Sequence, residues 1–162
     1  MSRPENPRQN NCSAIWFRSM RLYLGLFAAG NLAWEIIQLP LYTLWRAGTV
    51  WQLMFAVVHC TLGDLLVGLN TLSLALMIFG YRGWPQDRFC RVAGRALVLG
   101  FCYTIFSEWL NVVVRASWAY SEQMPIISLF NLKIGLTPML QWIVVPTAAF
   151  LLMRRKIRFS GG

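Results

Sequence analysis

Four ionisable side chains stand inside apolar sequence: Glu35 in NLAWEIIQ, His59 and Asp64 in VVHCTLGDLL, and Glu108 in TIFSEWLNVV. Carboxyl groups that face one another across a cavity can hold, share and pass a proton. An imidazole is the side chain best suited to exchanging protons at physiological pH. Such a set fits proton transfer to an apolar substrate, with acid and base flanking one bond, as in an isomerase or hydratase acting on a lipid or isoprenoid. The same set fits binding or translocation of a proton, a cation or a small solute. The ligand-binding residues expected on this basis are Glu35, His59, Asp64, Glu108, Asn111, Arg115 and Gln141. If the chemistry is enzymatic, His59, Glu35 and Glu108 are the catalytic candidates. No metal site is assigned, because the one histidine has no ligand partner three or four residues away. The sequence names no cofactor.

A blander role competes for the amides and hydroxyls. Polar side chains join membrane helices at about 0.6 kcal/mol per hydrogen bond, and Asn31, Gln38, Asn70, Thr71 and Asn111 suit that task. On that reading the chain is an accessory subunit of a larger membrane complex. The three acids are different, since Asn or Gln would join helices without the cost of an ionisable group in lipid.

Helical phase gathers these residues. At about 100° per residue, Asn31, Glu35 and Gln38 share one stripe. Thr104, Glu108, Asn111 and Arg115 share another, and Thr137, Gln141, Val144 and Ala148 a third. The remaining helix presents His59, Gly63 and Asn70 on one edge of a polar sector, with Cys60, Asp64 and Thr71 on the other. Counting rise along each helix brings Glu35, Glu108, His59 and Gln141 to one layer, with Asp64 deeper. The link from Trp118 to Leu132 would roof that layer.

The elements that must position these residues are four apolar segments, at about 22–45, 51–79, 96–120 and 135–153. Each is long enough to cross a hydrocarbon core of about 30 Å as a helix. Helices are required because unpaired backbone groups are costly in lipid, and no barrel-like alternation is present. The expected fold is therefore all-α: a polytopic membrane protein with four transmembrane helices in an up-down bundle. Residues 1–21 form an N-terminal tail, 22–153 the transmembrane domain, and 154–162 a basic C-terminal tail. The apolar segment at Leu22–Phe27, followed by Ala28-Ala29-Gly30, mimics a signal peptide, but its apolar character continues to Leu41 as a span requires.

Composition agrees with this organisation. Of 162 residues, 57% are apolar and only 13% charged, against about 25% in a soluble domain. Mean hydropathy is +0.49. The 15 Lys and Arg against 6 Asp and Glu give a net charge of +9, which could suggest nucleic acid. Their placement says otherwise. Arg3, Arg8, Arg18 and Arg21 precede the first segment; Arg82, Arg88, Arg91 and Arg95 fill the second link; Arg154, Arg155, Lys156 and Arg158 follow the last. In an alternating bundle all of these lie on one side, so the positive-inside rule puts both termini in the cytoplasm. Nucleic acid is not an expected partner. The expected partners are membrane lipid and a small solute, cation or lipid ligand. Because four helices make a thin transporter, a homo-oligomer or a larger membrane complex is expected under that reading. The expected location is the cell membrane, the inner one in a bacterium.

Cys12, Cys60, Cys90 and Cys102 form no CxxC and no disulfide framework. Trp16, Trp45, Trp51, Trp84 and Trp118 fall near segment ends, as interfacial aromatics do. Trp34, Trp109 and Trp142 neighbour the polar stripes and are expected to pack between helices. Gly63, Gly68 and Gly100 are expected to let helices approach closely. No phosphate-binding loop, haem-type histidine pair or HExxH is present.

Overall fold

A computed structural model describes residues 7–79, 83–129 and 132–159. Arg3, Arg82 and the outermost residues of both tails lie outside the described residues. Helix α1 spans Pro7–Gln38 and is followed by a 3-10 turn, Leu39–Leu41, and a one-turn helix α2, Leu44–Ala47. Helix α3 spans Val50–Phe79 and α4 spans Phe89–Glu108, which runs on into a π-helical turn, Trp109–Val114. Strands β1 (Ile126–Leu129) and β2 (Leu132–Gly135) precede α5, Leu136–Phe159. Four of these helices are long and apolar enough to cross a membrane, over Ser13–Leu41, Val50–Ile78, Phe89–Val114 and Leu136–Ile157. The chain is an all-α integral membrane protein. Large apolar residues lie uncovered along the spans, such as Ile37, Leu66, Met77 and Val98, as lipid contact requires.

Local chemistry explains where the helices differ from the sequence expectation. Helix α1 stops at Gln38 rather than continuing to Trp45, because Pro40 lacks an N–H and cannot extend the helical ladder. Trp45 belongs to the separate α2. Helix α3 opens with a capping box: Thr49 N donates to Gln52 Oε1 at 2.8 Å, and Gln52 N reaches back to Thr49 Oγ1 at 3.4 Å. Helix α4 starts at Phe89, not Ala96, and carries Arg91 and Arg95 on an uncovered surface. Long arginine stems can lie along apolar surface while the guanidinium reaches water. Helix α5 likewise passes Met153, so Arg154, Arg155 and Lys156 are helical. The Trp118–Leu132 link contains a feature that periodicity did not suggest. It starts an antiparallel hairpin pairing Ile126 with Gly135 and Leu129 with Leu132.

The bundle is close-packed at one end. Tyr23 and Phe27 of α1, Leu72 and Leu76 of α3, Val92 and Ala96 of α4, and Phe150 and Met153 of α5 are all buried there. Tyr23 stacks on Phe150 with ring centroids 4.3 Å apart. Glycines make the close approach possible. A Cβ at Gly68 would collide with the Phe27 ring, and one at Gly100 with the Trp142 indole. Gly63 does not play the expected part, since nothing lies within 4 Å of a Cβ placed there.

Candidate functional site

At the other end the four helices part around a cavity of about 810 Å³, within the range of small-molecule sites. Its walls are the C-terminal parts of α1 and α4 and the N-terminal parts of α3 and α5. Glu35, His59, Asp64, Glu108, Asn111, Arg115 and Gln141 all line it. The helical stripes therefore bring the seven expected residues to one space, although not into one bonded set.

The floor is a hydrogen-bonded cluster centred on Gln141, which is 3% exposed. Its Nε2 donates to Asn31 Oδ1 at 2.8 Å, to Glu35 Oε1 at 3.1 Å and to Asp64 Oδ2 at 2.7 Å. Gln38 Nε2 donates to Glu35 Oε1 at 2.9 Å and to Gln141 Oε1 at 3.2 Å. Trp34 Nε1 in turn donates to Gln38 Oε1 at 3.2 Å. The carboxyl groups of Glu35 and Asp64 are brought together by this shared donor, each accepting from Gln141 Nε2. Three helices thus meet at Glu35, Asp64 and Gln141.

Glu108 ends α4 and is held from the roof. Tyr120 donates its hydroxyl proton to Glu108 Oε2, and Gly135 N donates to the Tyr120 oxygen at 3.0 Å. Burial, then the neighbouring Glu108 charge, pushes the Tyr120 phenol above its ordinary value, so it stays neutral and donating. The segment carrying Tyr120 is tied to the turn after α1. Thr43 N donates to Ala119 O at 3.0 Å and Ser121 N to Leu41 O at 2.9 Å. Tyr42 and Tyr120 face each other across this bridge, with ring centroids 5.8 Å apart. Tyr42 and Trp118 line the cavity beside this strap; of the described residues of the Trp118–Leu132 link expected to roof it, only Trp118 is among the lining residues.

The π-helical turn begins directly after Glu108. Arg115 N donates to Leu110 O at 2.8 Å, five residues back. At the cavity rim Asn111 Nδ2 donates to Ser107 O at 2.9 Å and to Ser107 Oγ at 3.2 Å. Asn111 is thus joined to its own helix rather than to the carboxyl cluster. Arg115 stands exposed at the mouth.

His59 is placed differently from the acid–base pairing expected of it. Its ring stacks on Phe55 at 5.4 Å on the exposed flank of α3. Among the described residues no hydrogen bond joins it to a carboxyl group. The sector assigned to Asn70 and Thr71 also turns away: Asn70 is exposed and donates to Leu66 O at 2.8 Å, and Thr71 donates to Gly68 O at 3.2 Å. On α5 the inward face is Pro138, Gln141, Trp142, Val145 and Ala149, whereas Val144 and Ala148 are exposed. The close-packed end claims the apolar side of this helix, which rotates the expected stripe by about one residue. Of the tryptophans beside the stripes, Trp142 is buried and walls the cavity, and Trp109 lies on the outside against Phe106.

Sequence reasoning missed Tyr120 and Tyr42 as site components and treated Asn31 and Gln38 only as helix joiners. No group of three or more His, Cys, Asp and Glu among the described residues is placed to hold a metal ion. No known protein family, curated protein or solved structure matches the chain.

Proposed function

We propose that this protein is a membrane-embedded acid–base site, an isomerase or hydratase in type, whose cavity takes a small lipid or isoprenoid molecule. Asp64 and Glu35 act as a proton-sharing pair on one side of the bound molecule, and Glu108 with Tyr120 acts from the other. The observation that carries this reading is the arrangement of three carboxyl groups, each held by a named donor, around one cavity of about 810 Å³. Acid and base positioned on opposite sides of a bond are what proton-transfer catalysis needs. His59, on the outer flank, contributes to the wall.

Translocation of a solute, proton or cation is less well supported for a single chain. Phe27, Leu72, Trp142 and Phe150 fill the bundle beyond the carboxyl cluster, so a permeant would require that packing to open. The proposed topology is an up-down bundle in the cell membrane with both termini cytoplasmic, following the basic residues. The cavity then opens in the outer half.

The test uses wild-type protein in vesicles of its host's own lipids, incubated in D2O. Mass spectrometry of the extract should show one lipid species gaining deuterium or changing mass. Glu35→Gln and Glu108→Gln should each abolish that change while remaining folded. An extract identical with and without the wild-type protein would overturn the proposal.

A further inference from the structure

The exposed residues of the cavity wall come from a particular side. The parts contributed by α1 and α5, among them Glu35, Gln38, Pro138, Gln141 and Trp142, are buried. Those contributed by α3 and α4 include Phe55, His59, Gly63 and Tyr103, all exposed. Phe55 is 63% and Tyr103 46% exposed. The α3 and α4 side of the cavity is therefore its exposed side. Gly63 lies 13 residues into α3, roughly 20 Å along the axis. Because α3 has 30 residues, Gly63 lies close to its midpoint, so the exposed side reaches about the middle of a hydrocarbon core of about 30 Å. The roof does not open in the same way, because the Leu41–Ser121 and Thr43–Ala119 backbone bonds and the Tyr120–Glu108 bond tie it down.

A slot through the side of a membrane span admits molecules dissolved in lipid. The head chemistry follows from the cluster behind it. Gln141 offers two amide hydrogens to three acceptor atoms, and Glu35 Oε1 already receives Gln38 as well. Oxygen acceptors outnumber donors, so a molecule seated there is favoured when it brings a donor of its own. Its chain would lie along Phe55, Gly63 and Tyr103.

Resting on the reading of the cavity as a lipid-substrate site, we infer that the ligand is an amphiphile with a hydrogen-bond-donating head, a hydroxyl or amine. It passes from the bilayer into the cavity through the slot between α3 and α4. Gly63 keeps that slot open, because a bulky side chain in its place would project into it.

The experiment uses a diazirine-bearing long-chain alcohol in vesicles containing the full-length protein, with cross-links mapped by peptide mass spectrometry. Labelling is expected on the cavity-facing residues 55–64 and 103–108. Unlabelled dodecanol should suppress it at least fivefold, and its methyl ether, which has no donor, should not. Gly63→Trp should remove labelling at Cys60 and Asp64 but leave labelling of outward-facing Leu66 and Met77. Gly63→Ala, which fits the open space, should label as wild type. Uniform labelling around the bundle, equal competition by alcohol and ether, or unchanged cavity labelling in a folded Gly63→Trp would each overturn the inference. Labelling that persists without any lipid conversion in D2O would leave the slot standing and refute only the acid–base reading.

Discussion

Replacing Gln141 with leucine tests whether one amide holds the polar floor together. The side chain donates to Asn31, Glu35 and Asp64 at 2.8, 3.1 and 2.7 Å and accepts from Gln38 at 3.2 Å. Two hydrogens can make at most two full-strength bonds, so the substitution deletes about three bonds in all. At about 0.6 kcal/mol each within a bilayer, that amounts to about 2 kcal/mol. Water in the cavity can replace the donor at Asp64, which is only partly buried. It cannot reach Asn31, which has no exposed surface, and a stranded buried acceptor adds on the order of 1 kcal/mol. Leucine nearly conserves volume, so little is added by packing. The expected loss is about 3 kcal/mol. Reversible unfolding in bicelles, followed by tryptophan fluorescence, measures it. Asn70→Leu is the control, because Asn70 is exposed and donates only to Leu66 O; its stability should change by less than about 0.5 kcal/mol. Removing acceptor and donor together, in Asn31→Leu/Gln141→Leu, should cost about 1 kcal/mol less than the sum of the single changes. A Gln141→Leu protein as stable as the Asn70 control would refute the idea that this amide organises the floor.

Gly100→Val should lower stability by about 2–3 kcal/mol, because the added atoms fall on the Trp142 indole. Thermal melts in detergent should show Gly63→Ala unchanged or up to about 1 kcal/mol more stable, since alanine favours helix and nothing there is in its way. Tyr120→Phe removes the donor to Glu108 and the acceptor for the Gly135 amide. Hydrogen exchange at Gly135 should then speed up about tenfold, corresponding to about 1.4 kcal/mol, while amides of the close-packed Leu72–Leu76 segment keep their protection.

Helical periodicity and apolar segment length carried the architecture far. Period and apolar length are properties of one segment, and lipid enforces them on each segment separately. Segment ends were less legible. Pro40 shows why the first helix stops early, but the start of α4 at Phe89 lies among residues whose polarity gave no boundary, because arginine stems can remain on a helix while their charge reaches water. The hairpin at Ile126–Gly135 was hidden for a similar reason. Its strands are four residues each, too short for alternation to stand out from a loop.

The site divides along the same physical line. Glu35, Glu108 and Gln141 were found because an ionisable or amide group on an apolar helix has few places to go except inward. Their partners depend on how neighbouring helices rotate and slide, and those are decided by packing at the opposite end of the bundle. The apolar face of Trp142, Val145 and Ala149 turns α5 so that Gln141 reaches Asn31, Glu35 and Asp64 at once. His59 shows the converse. Its residue type promised a proton-exchanging partner, yet it sits one turn beyond Phe55 on the exposed flank of α3. Its neighbour is therefore an aromatic ring and the open slot, not a carboxylate. Residue type gives the chemistry a side chain could perform; the flank on which the fold leaves it determines which molecule it can meet, and His59 is left on an exposed flank of the cavity wall.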